Sequence, residues 1–320
     1  MMPIARIVIT AFESDGDLHE CLKSLGSQTR KDFEVIVVNN SPKEIAGKEL
    51  WENLDWVTFL NSGENIGFAG GSNFGAKGAQ TEWIITLNPD AWPREMWFEN
   101  LMLAARAEPE CKLLSSTLLC ADNPKMIDGL GDRYSIFGIG WRVDQGKLLT
   151  NAAPQGDKVL FPCGAAATYN RLEFERLGGF DQSFFCYLED IDLGLRFCMN
   201  GHKCLHVLDA EVLHKGGGSQ DGDAFKNYHT HKNQLRLMFK LAPLKLLIFQ
   251  LPLYLCLQIY ILLRSINQPN WTEKVKGIAH GMLLLPMALK RVFSKKPKTN
   301  TARKYSRMLS WSARELQHKK

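Results

Sequence analysis

The chain is short of paired cysteines and of acids at its C-terminal end. Its eight cysteines stand without a Cys-x-x-Cys pair or metal-ligand spacing, which excludes a zinc ribbon and a disulfide framework. Most lie in apolar surroundings and read as reduced core thiols of a cytosolic protein. The opening MMPIARIVITAF has too brief an apolar run for a signal peptide and enters a strand at once, so no export is expected. From Lys290 to Lys320, eleven Lys and Arg face one acid, Glu315, a local charge of about +10. Since the whole chain carries +5, everything before that tail sums to about −5. The tail also lacks the interleaved aromatics of a base-stacking platform, which argues against nucleic acid as a partner.

What is present suits a globular protein. A chain of 320 residues that is 45% hydrophobic can bury one large core, or a core with an appendage. Two greasy stretches precede the basic tail: LKLLIFQLPLYLCLQIYILLR (244 to 264) and the shorter GIAHGMLLLPMALKRVF (277 to 293). The first is about long enough to span a bilayer, but Gln250, Pro252 and Gln258 inside it argue for a helix at an interface or buried in protein. Together with the tail, these helices point to attachment at an anionic membrane surface. A helical subdomain with a solvated basic face is the alternative.

Up to about residue 210 the pattern alternates. Strands are expected at 5 to 12, 33 to 40, 56 to 61 and 82 to 88, a helix from 17 with Leu18, Cys21, Leu22 and Leu25 on one face, and a glycine-rich helix over 67 to 80. This predicts an α/β fold with a mainly parallel sheet covered on both faces. Ligands in such sheets bind beyond the carboxyl ends of the strands. Those ends carry Phe12 and Glu13, then Asn39-Asn40-Ser41, then Asn88-Pro89-Asp90. An isolated Asn-Pro-Asp is a common turn, yet at this rim Asp90 can present a carboxylate to a hard cation such as Mg²⁺ or Mn²⁺. The segment NIGFAGGSNFGAKG (65 to 78) is neither a Walker loop nor a dinucleotide fingerprint. Its small residues permit close approach of a bulky ligand, with Asn65 and Asn73 offering amides; tight packing on the sheet is the plainer explanation.

The stretch FFCYLEDIDLGLRF (184 to 197) places three carboxylates in an apolar run. A helix is predicted over 187 to 200, ending at Asn200-Gly201, with Leu188, Ile191, Leu195 and Cys198 toward the core. Glu189 and Asp192 favour the positive helix start, and Asp192 pairs with Arg196 at i, i+4. Asp190 falls off that stripe with no cation in helical reach, which leaves simple exposure or a chemical role.

Taken in order, IVITAFES, EVIVVNNS, NIGFAGGSN, LNPDAW, GAAATYNR, GGFDQSFFCYLEDIDLGLR and VLHKGGGS resemble the inverting nucleotide-sugar glycosyltransferases of family 2, with the GT-A fold, and look closest to the rhamnosyltransferase-like branch. The resemblance covers residues 5 to 220 and implies a catalytic domain over 1–222 followed by a helical, basic, membrane-associated region over 223–320. It implies a nucleoside-diphosphate sugar, dTDP-rhamnose or a UDP-sugar, laid across the strand ends. Its contacts would be Ala11, Phe12 and Glu13, then Asn39, Asn65, Gly70 and Asn73, and finally Asn88 and Asp90. Asp90 stands in the family's Asp-x-Asp motif, with Asn88 replacing the first aspartate, and His214 matches the late histidine that completes the Mg²⁺ or Mn²⁺ site. The second acid of the family's Glu-Asp motif is Asp190, which makes it the general base, desolvated by Phe184, Phe185 and Tyr187.

The family's base-contacting aspartate is replaced by Asn39, whose amide oxygen can still accept the N3–H of a pyrimidine. Gly164 to Ala166 would leave room beneath the sugar or acceptor, and Asp181 would lie on the ligand side. The acceptor implied is a glycan or lipid-linked glycan of a bacterial surface polysaccharide, built by a cytoplasmic enzyme on the inner membrane face. A catalytically degenerate nucleotide-sugar-binding scaffold of the same fold is the second reading.

Overall fold

Strand β1 (Ala5–Ala11) sends Ile7 and Ile9 to one face of a sheet and Val8 to the other, and all three are buried. A strand covered on both faces needs a continuous apolar run rather than alternation, which is what ARIVITA supplies. The computed structural model describes residues 2–47, 49, 51, 54–151, 159–216, 222–286, 290 and 301–311. The expected basic tail from Lys290 and the glycines of VLHKGGGS after Gly216 therefore fall largely outside the described residues.

After β1 come α1 (Asp15–Gly26), β2 (Phe33–Asn39), β3 (Val57–Asn61), α2 (Gly67–Ala76), β4 (Trp83–Leu87), β5 (Ala91–Pro93) and α3 (Trp97–Ala107). A more antiparallel stretch follows: β6 (Cys111–Cys120), β7 (Asn123–Gly129), β8 (Asp132–Ser135), β9 (Gly140–Arg142) and β10 (Ala166–Asn170). The remaining elements are α4 (Arg171–Arg176), α5 (Glu189–Met199), β11 (Lys203–His214), α6 (Gly222–Leu241), α7 (Leu244–Arg264), α8 (Trp271–Met282), α9 (Thr301–Met308) and β12 (Leu309–Ser310).

The main sheet runs β3-β2-β1-β4-β10-β6-β11-β5, with β7 beside β6. Strands β3, β2, β1 and β4 are mutually parallel, as are β6 and β11, while β10 runs antiparallel between β4 and β6. Helices α1 and α3 cover one face through Leu18, Leu22, Trp97 and Phe98; α2 and α5 cover the other through Ala69, Leu193 and Phe197. The glycines of α2 serve that packing. A Cβ at Gly71 would collide with Thr10 and one at Gly75 with Val8, so the helix lies closer to the sheet than an alanine would permit.

Helix α5 departs from the single core face read from its spacing. It begins at Glu189, and Glu189, Ile191, Asp192, Leu193, Leu195 and Phe197 are all buried. The reason is tertiary: Leu193 and Phe197 join the cluster under the sheet, while Ile191 and Leu195 join a second one built with Leu235, Met238, Tyr254 and Tyr305. That second cluster also takes Tyr134, Phe161 and Phe184, so the core is continuous across residue 222. Asp192 is fully buried between Arg196 (2.7 Å) and Lys240 of α6 (2.8 Å), and Lys240 also meets Asp181 at 2.6 Å.

Helix α7 is long and apolar enough to cross a bilayer by length and composition, with a mean hydropathy of 2.1. Its polar side faces the protein. Gln250 and Gln258 are 0% and 1% exposed, and Gln250 donates to Ser135 O and accepts from the Tyr305 hydroxyl. Phe249 and Leu263 are 67% and 68% exposed, and Ile248, Ile259 and Tyr260 are exposed with them.

Candidate active site

Strand pairing assembles one end of the site. Strand β5 pairs antiparallel with β11 in a register that sets His214 opposite Ala91, and Lys215 N–H donates to Asp90 O. This brings His214 Nε2 to 3.6 Å from Asp90 Oδ1, with both residues buried. The β6–β7 hairpin then delivers Asp128, whose Oδ2 lies 2.7 Å from His214 Nδ1. At 3.6 Å the Nε2 to Asp90 approach is too long for a hydrogen bond, and Nε2 is a buried atom without a partner among the described residues.

Arg142, at the end of β9, donates to the same Asp128 Oδ2. Gly129 makes room for it, since a Cβ there would press on the arginine stem. Burial alone would raise the Asp128 carboxyl, but the His214 hydrogen bond and the Arg142 charge outweigh it and hold the group at about 2. Asp90 follows the same logic: burial pushes it up, His214 and more distantly Arg142 pull harder, and the net shift is downward. Burial pulls His214 down, but Asp128 and Asp90 reverse it and raise the imidazole.

Asp190 occupies the other end. Its Oδ2 accepts from Gly164 N–H at 2.9 Å and its Oδ1 from Ile191 N–H at 2.8 Å, which fixes the half-buried carboxylate. Burial raises its proton affinity, and the two N–H groups and Arg142 only partly offset this. Ligand atoms of Asp132 and Cys163 lie within 4.8 Å of it and of each other. Burial raises the proton affinity of the Cys163 thiol, with Arg142 opposing it, and the three groups together could hold a cation. Arg142 itself is held charged: burial opposes this, but the charges of Asp128, Asp132 and Asp190 together prevail. A single guanidinium thus acts on both Asp90 and Asp190, from a strand that carries no recognisable motif.

The loop before Asp190 is strained. Phe185, Tyr187 and Leu188 have φ of 67°, 70° and 69°, a region that costs non-glycine residues roughly 1–3 kcal/mol each. Glu189 is buried with Oε2 lacking a partner among the described residues, and burial, then the Asp190 charge, raises its pKa well above the usual range. A helix-start attraction alone does not account for it.

The remaining expected contacts divide. Ala11 is buried at the end of β1, with Phe12 and Glu13 half-buried beyond it, and Glu13 pairs with Lys43 at 2.8 Å. Glu13, Asn39, Ser41 and Lys43 line a cavity of about 210 Å³. A whole-ligand pocket is typically ~300–1,000 Å³, so this one suits one end of a ligand. Asn39 uses its amide to shape the turn, donating to Lys43 O and accepting from Ser41 N–H. Asn65, exposed, accepts from Gly67 N–H and from Asn40. Gly70 is buried in α2, and Asn88 is half-buried at the rim.

Asn73 has a different task from the one expected: it donates to Phe180 O and accepts from Phe180 N–H, so it holds the loop after α4 rather than a ligand. Asp181 likewise is committed to Lys240 and Ser183. Gly164 opens less a space than a donor, since its N–H points at Asp190.

The sequence model of glycosyl transferase family 2 matches residues 6–171. The chain belongs to that family. The match takes in Asp90, Asp128, Arg142 and Gly164, whereas Asp190 and His214 lie beyond it. This family 2 chain is 24% identical over 258 residues to the N-acetylglucosaminyl-diphospho-decaprenol L-rhamnosyltransferase of Mycobacterium tuberculosis, covering 72% of this chain and 82% of the relative. It is 23% identical over 222 residues to rhamnosyltransferase WbbL of Escherichia coli, covering 65% and 82%.

Among solved structures the family 2 chain is similar in fold to GalNAc-T7 with UDP, GalNAc and Mn²⁺, with a TM-score of 0.59 and 16% identity. That likeness covers 75% of this chain and 49% of GalNAc-T7, about half its length. It is also similar to mannosyltransferase PcManGT from Pyrobaculum calidifontis with GDP-Man and Mn²⁺, with a TM-score of 0.53, 15% identity, and coverage of 100% and 89%. The fold is thus GT-A-like, a mixed sheet with mostly parallel strands followed by C-terminal helices.

Proposed function

We propose that this family 2 glycosyltransferase moves a deoxyhexose, rhamnose first among candidates, from a nucleoside-diphosphate donor to a hydroxyl of a lipid-linked glycan acceptor, with inversion, in surface-glycan assembly. The observation that supports the reading is the position of Arg142, which donates to Asp128, the residue that holds His214 beside Asp90, while its charge also acts on Asp190. The rhamnosyltransferase relatives support the sugar and the class of acceptor.

The donor set at Asp90 and His214 fits a divalent ion, because a buried imidazole nitrogen without a partner faces a buried carboxylate. Mg²⁺ or Mn²⁺ bound by these two residues would supply Lewis-acid stabilisation of the departing diphosphate. Asp128 would set the His214 tautomer, with Nδ1–H donating to its carboxylate and Nε2 left as the ligand atom. At the other end Asp190 takes the acceptor hydroxyl proton as that oxygen attacks the anomeric carbon from the face opposite the phosphate, and a single displacement inverts the centre. Its raised proton affinity suits the task. Glu13, Asn39 and Lys43 would receive the nucleoside end.

The reversed polarity of α7 supports attachment to a membrane surface. A helix with buried glutamines and an exposed row of Phe249, Ile259 and Leu263 suits an interface with acyl chains rather than with water. The test of the whole reading is donor turnover by the purified chain with dTDP-rhamnose and UDP-sugars, with Mn²⁺ or Mg²⁺ present. Slow release of nucleoside diphosphate, abolished in Asp190→Asn with donor binding kept, is expected. Release of nucleoside monophosphate, or no release with tight donor binding, would overturn it in favour of a hydrolase or a scaffold.

A further inference from the structure

We infer that Asn233, on helix α6 outside the segment matched by the family model, is a positioning residue for Asp190. The inference rests on Asp190 being the proton acceptor. Asn233 is fully buried, and its Nδ2 lies 2.9 Å from each of three carbonyl oxygens, those of Phe184, Cys186 and Tyr187. An amide nitrogen has two hydrogens, so at least one is shared; three converging acceptors leave no doubt that the NH₂ group faces the loop. The carbonyls gathered in this way belong to or adjoin the residues whose backbone is least willing to stay: Tyr187 is one of them, and Phe185 and Leu188 are next in the chain to a gathered residue. Phe185, Tyr187 and Leu188 all have positive φ, and Leu188 is the residue from which α5 starts, with Asp190 in its first turn.

From the opposite side the loop is held by α2. Ala69 N–H donates to Phe185 O at 3.2 Å, and a Cβ at Gly67 would collide with that same carbonyl. The strained turn is therefore gripped between the glycine-rich helix start and one side chain from the C-terminal helices. Left-handed conformations at aromatic and branched residues persist only where their surroundings over-determine them. Without the Asn233 amide the turn loses its grip on one side, and the start of α5, with the Asp190 carboxylate, moves. Because a misplacement of about 1 Å can cost ~10²-fold in rate, the C-terminal helices act on chemistry they never touch.

The experiment compares Asn233→Leu, Asp190→Asn and the double variant in the full chain, by single-turnover transfer and by calorimetric binding of nucleoside diphosphate with Mn²⁺. For Asn233→Leu the transfer rate is expected to fall about 10²-fold while nucleotide affinity stays within about threefold. In the Asp190→Asn background the same change is expected to add nothing to the residual rate, since its effect runs through the carboxylate. Adding Leu188→Gly, which relieves one left-handed residue, should restore part of the rate.

If Asn233→Leu does not fold, Asn233→Ser reads the same split with a smaller change in shape. An unchanged rate in a folded Asn233 variant, or equal losses with and without Asp190, would overturn the inference while leaving the proton acceptor intact. Full turnover in Asp190→Asn alone would instead remove the reading on which it rests.

Discussion

His214 turns Nδ1 to Asp128 at 2.7 Å and so directs Nε2 toward Asp90, 3.6 Å away. The two carboxylates are unequal partners of one imidazole: the first sets its tautomer and the second shares its open side. Removing the first should therefore weaken ion binding without touching a ligand. Asp128→Asn is expected to raise the Mn²⁺ concentration for half-maximal turnover about 10–100-fold. An unchanged Mn²⁺ titration would show that Asp128 serves only to anchor Arg142.

Arg142 lowers the proton affinity of Asp190, which burial has raised. Deleting that charge in Arg142→Met must push the carboxyl further up. A carboxylate accepts a proton only when ionised, so with Asp190 in the proposed role the acid limb of the rate profile should move to higher pH. A shift to lower pH, or none, would separate Arg142 from Asp190.

His206 is buried on β11 with Nε2 2.9 Å from the Thr117 hydroxyl, and the hydroxyl gives its own proton to Leu208 O. Nε2 is therefore the donor, and burial, against the charge of Asp144, brings the ring's pKa down from 6.5 to about 4, which leaves it neutral at pH 7. A folded-state value below the unfolded one means stability that is complete above about pH 6.5 and lost as pH falls toward 4. About 2–4 kcal/mol should disappear across that window, from 1.36 kcal/mol per pH unit. Urea midpoints of the wild type and His206→Asn at pH 7 and pH 4.5 test it. Parallel losses in both would assign the effect elsewhere.

The outer row of α7 can be changed without touching the core. Phe249→Glu with Leu263→Glu should leave the melting temperature within about a degree and abolish sedimentation with anionic vesicles. Gln250→Leu should do the reverse. It removes one hydrogen bond each from the Ser135 carbonyl and the Tyr305 hydroxyl, at about 0.5–1.5 kcal/mol apiece, and leaves vesicle binding alone. Vesicle binding unaffected by the first pair would take the membrane away from this face.

The first half of the fold is legible in the chain because its signals are local. Four strands, the Leu18 to Leu25 face and the helix near Asp190 all follow from periodicity, and each is found within a residue or two. Asp90 and His214 can be suspected from their flanking motifs. Asp128, Arg142 and Asn233 carry no such sign: each matters through what lies across from it, and their neighbours come from other strands and helices. The amide of Asn73 looks free for a ligand in the sequence, yet the backbone of Phe180 claims it, while Asn39 shapes the turn after β2 and still lines the cavity there.

The chain by itself determined that a two-sided parallel sheet would form, since uninterrupted Ile and Val runs can be buried only between two layers of helix. It also determined that polar residues would gather at the strand ends. Only the tertiary structure decided which of those residues work together. Helix α6 packs on α5, pairs Lys240 with the buried Asp192, and grips the turn that precedes Asp190. The β5–β11 register sets His214 beside Asp90. Hydrogen bonds and charges act over a few ångströms of space and are indifferent to the length of chain between them.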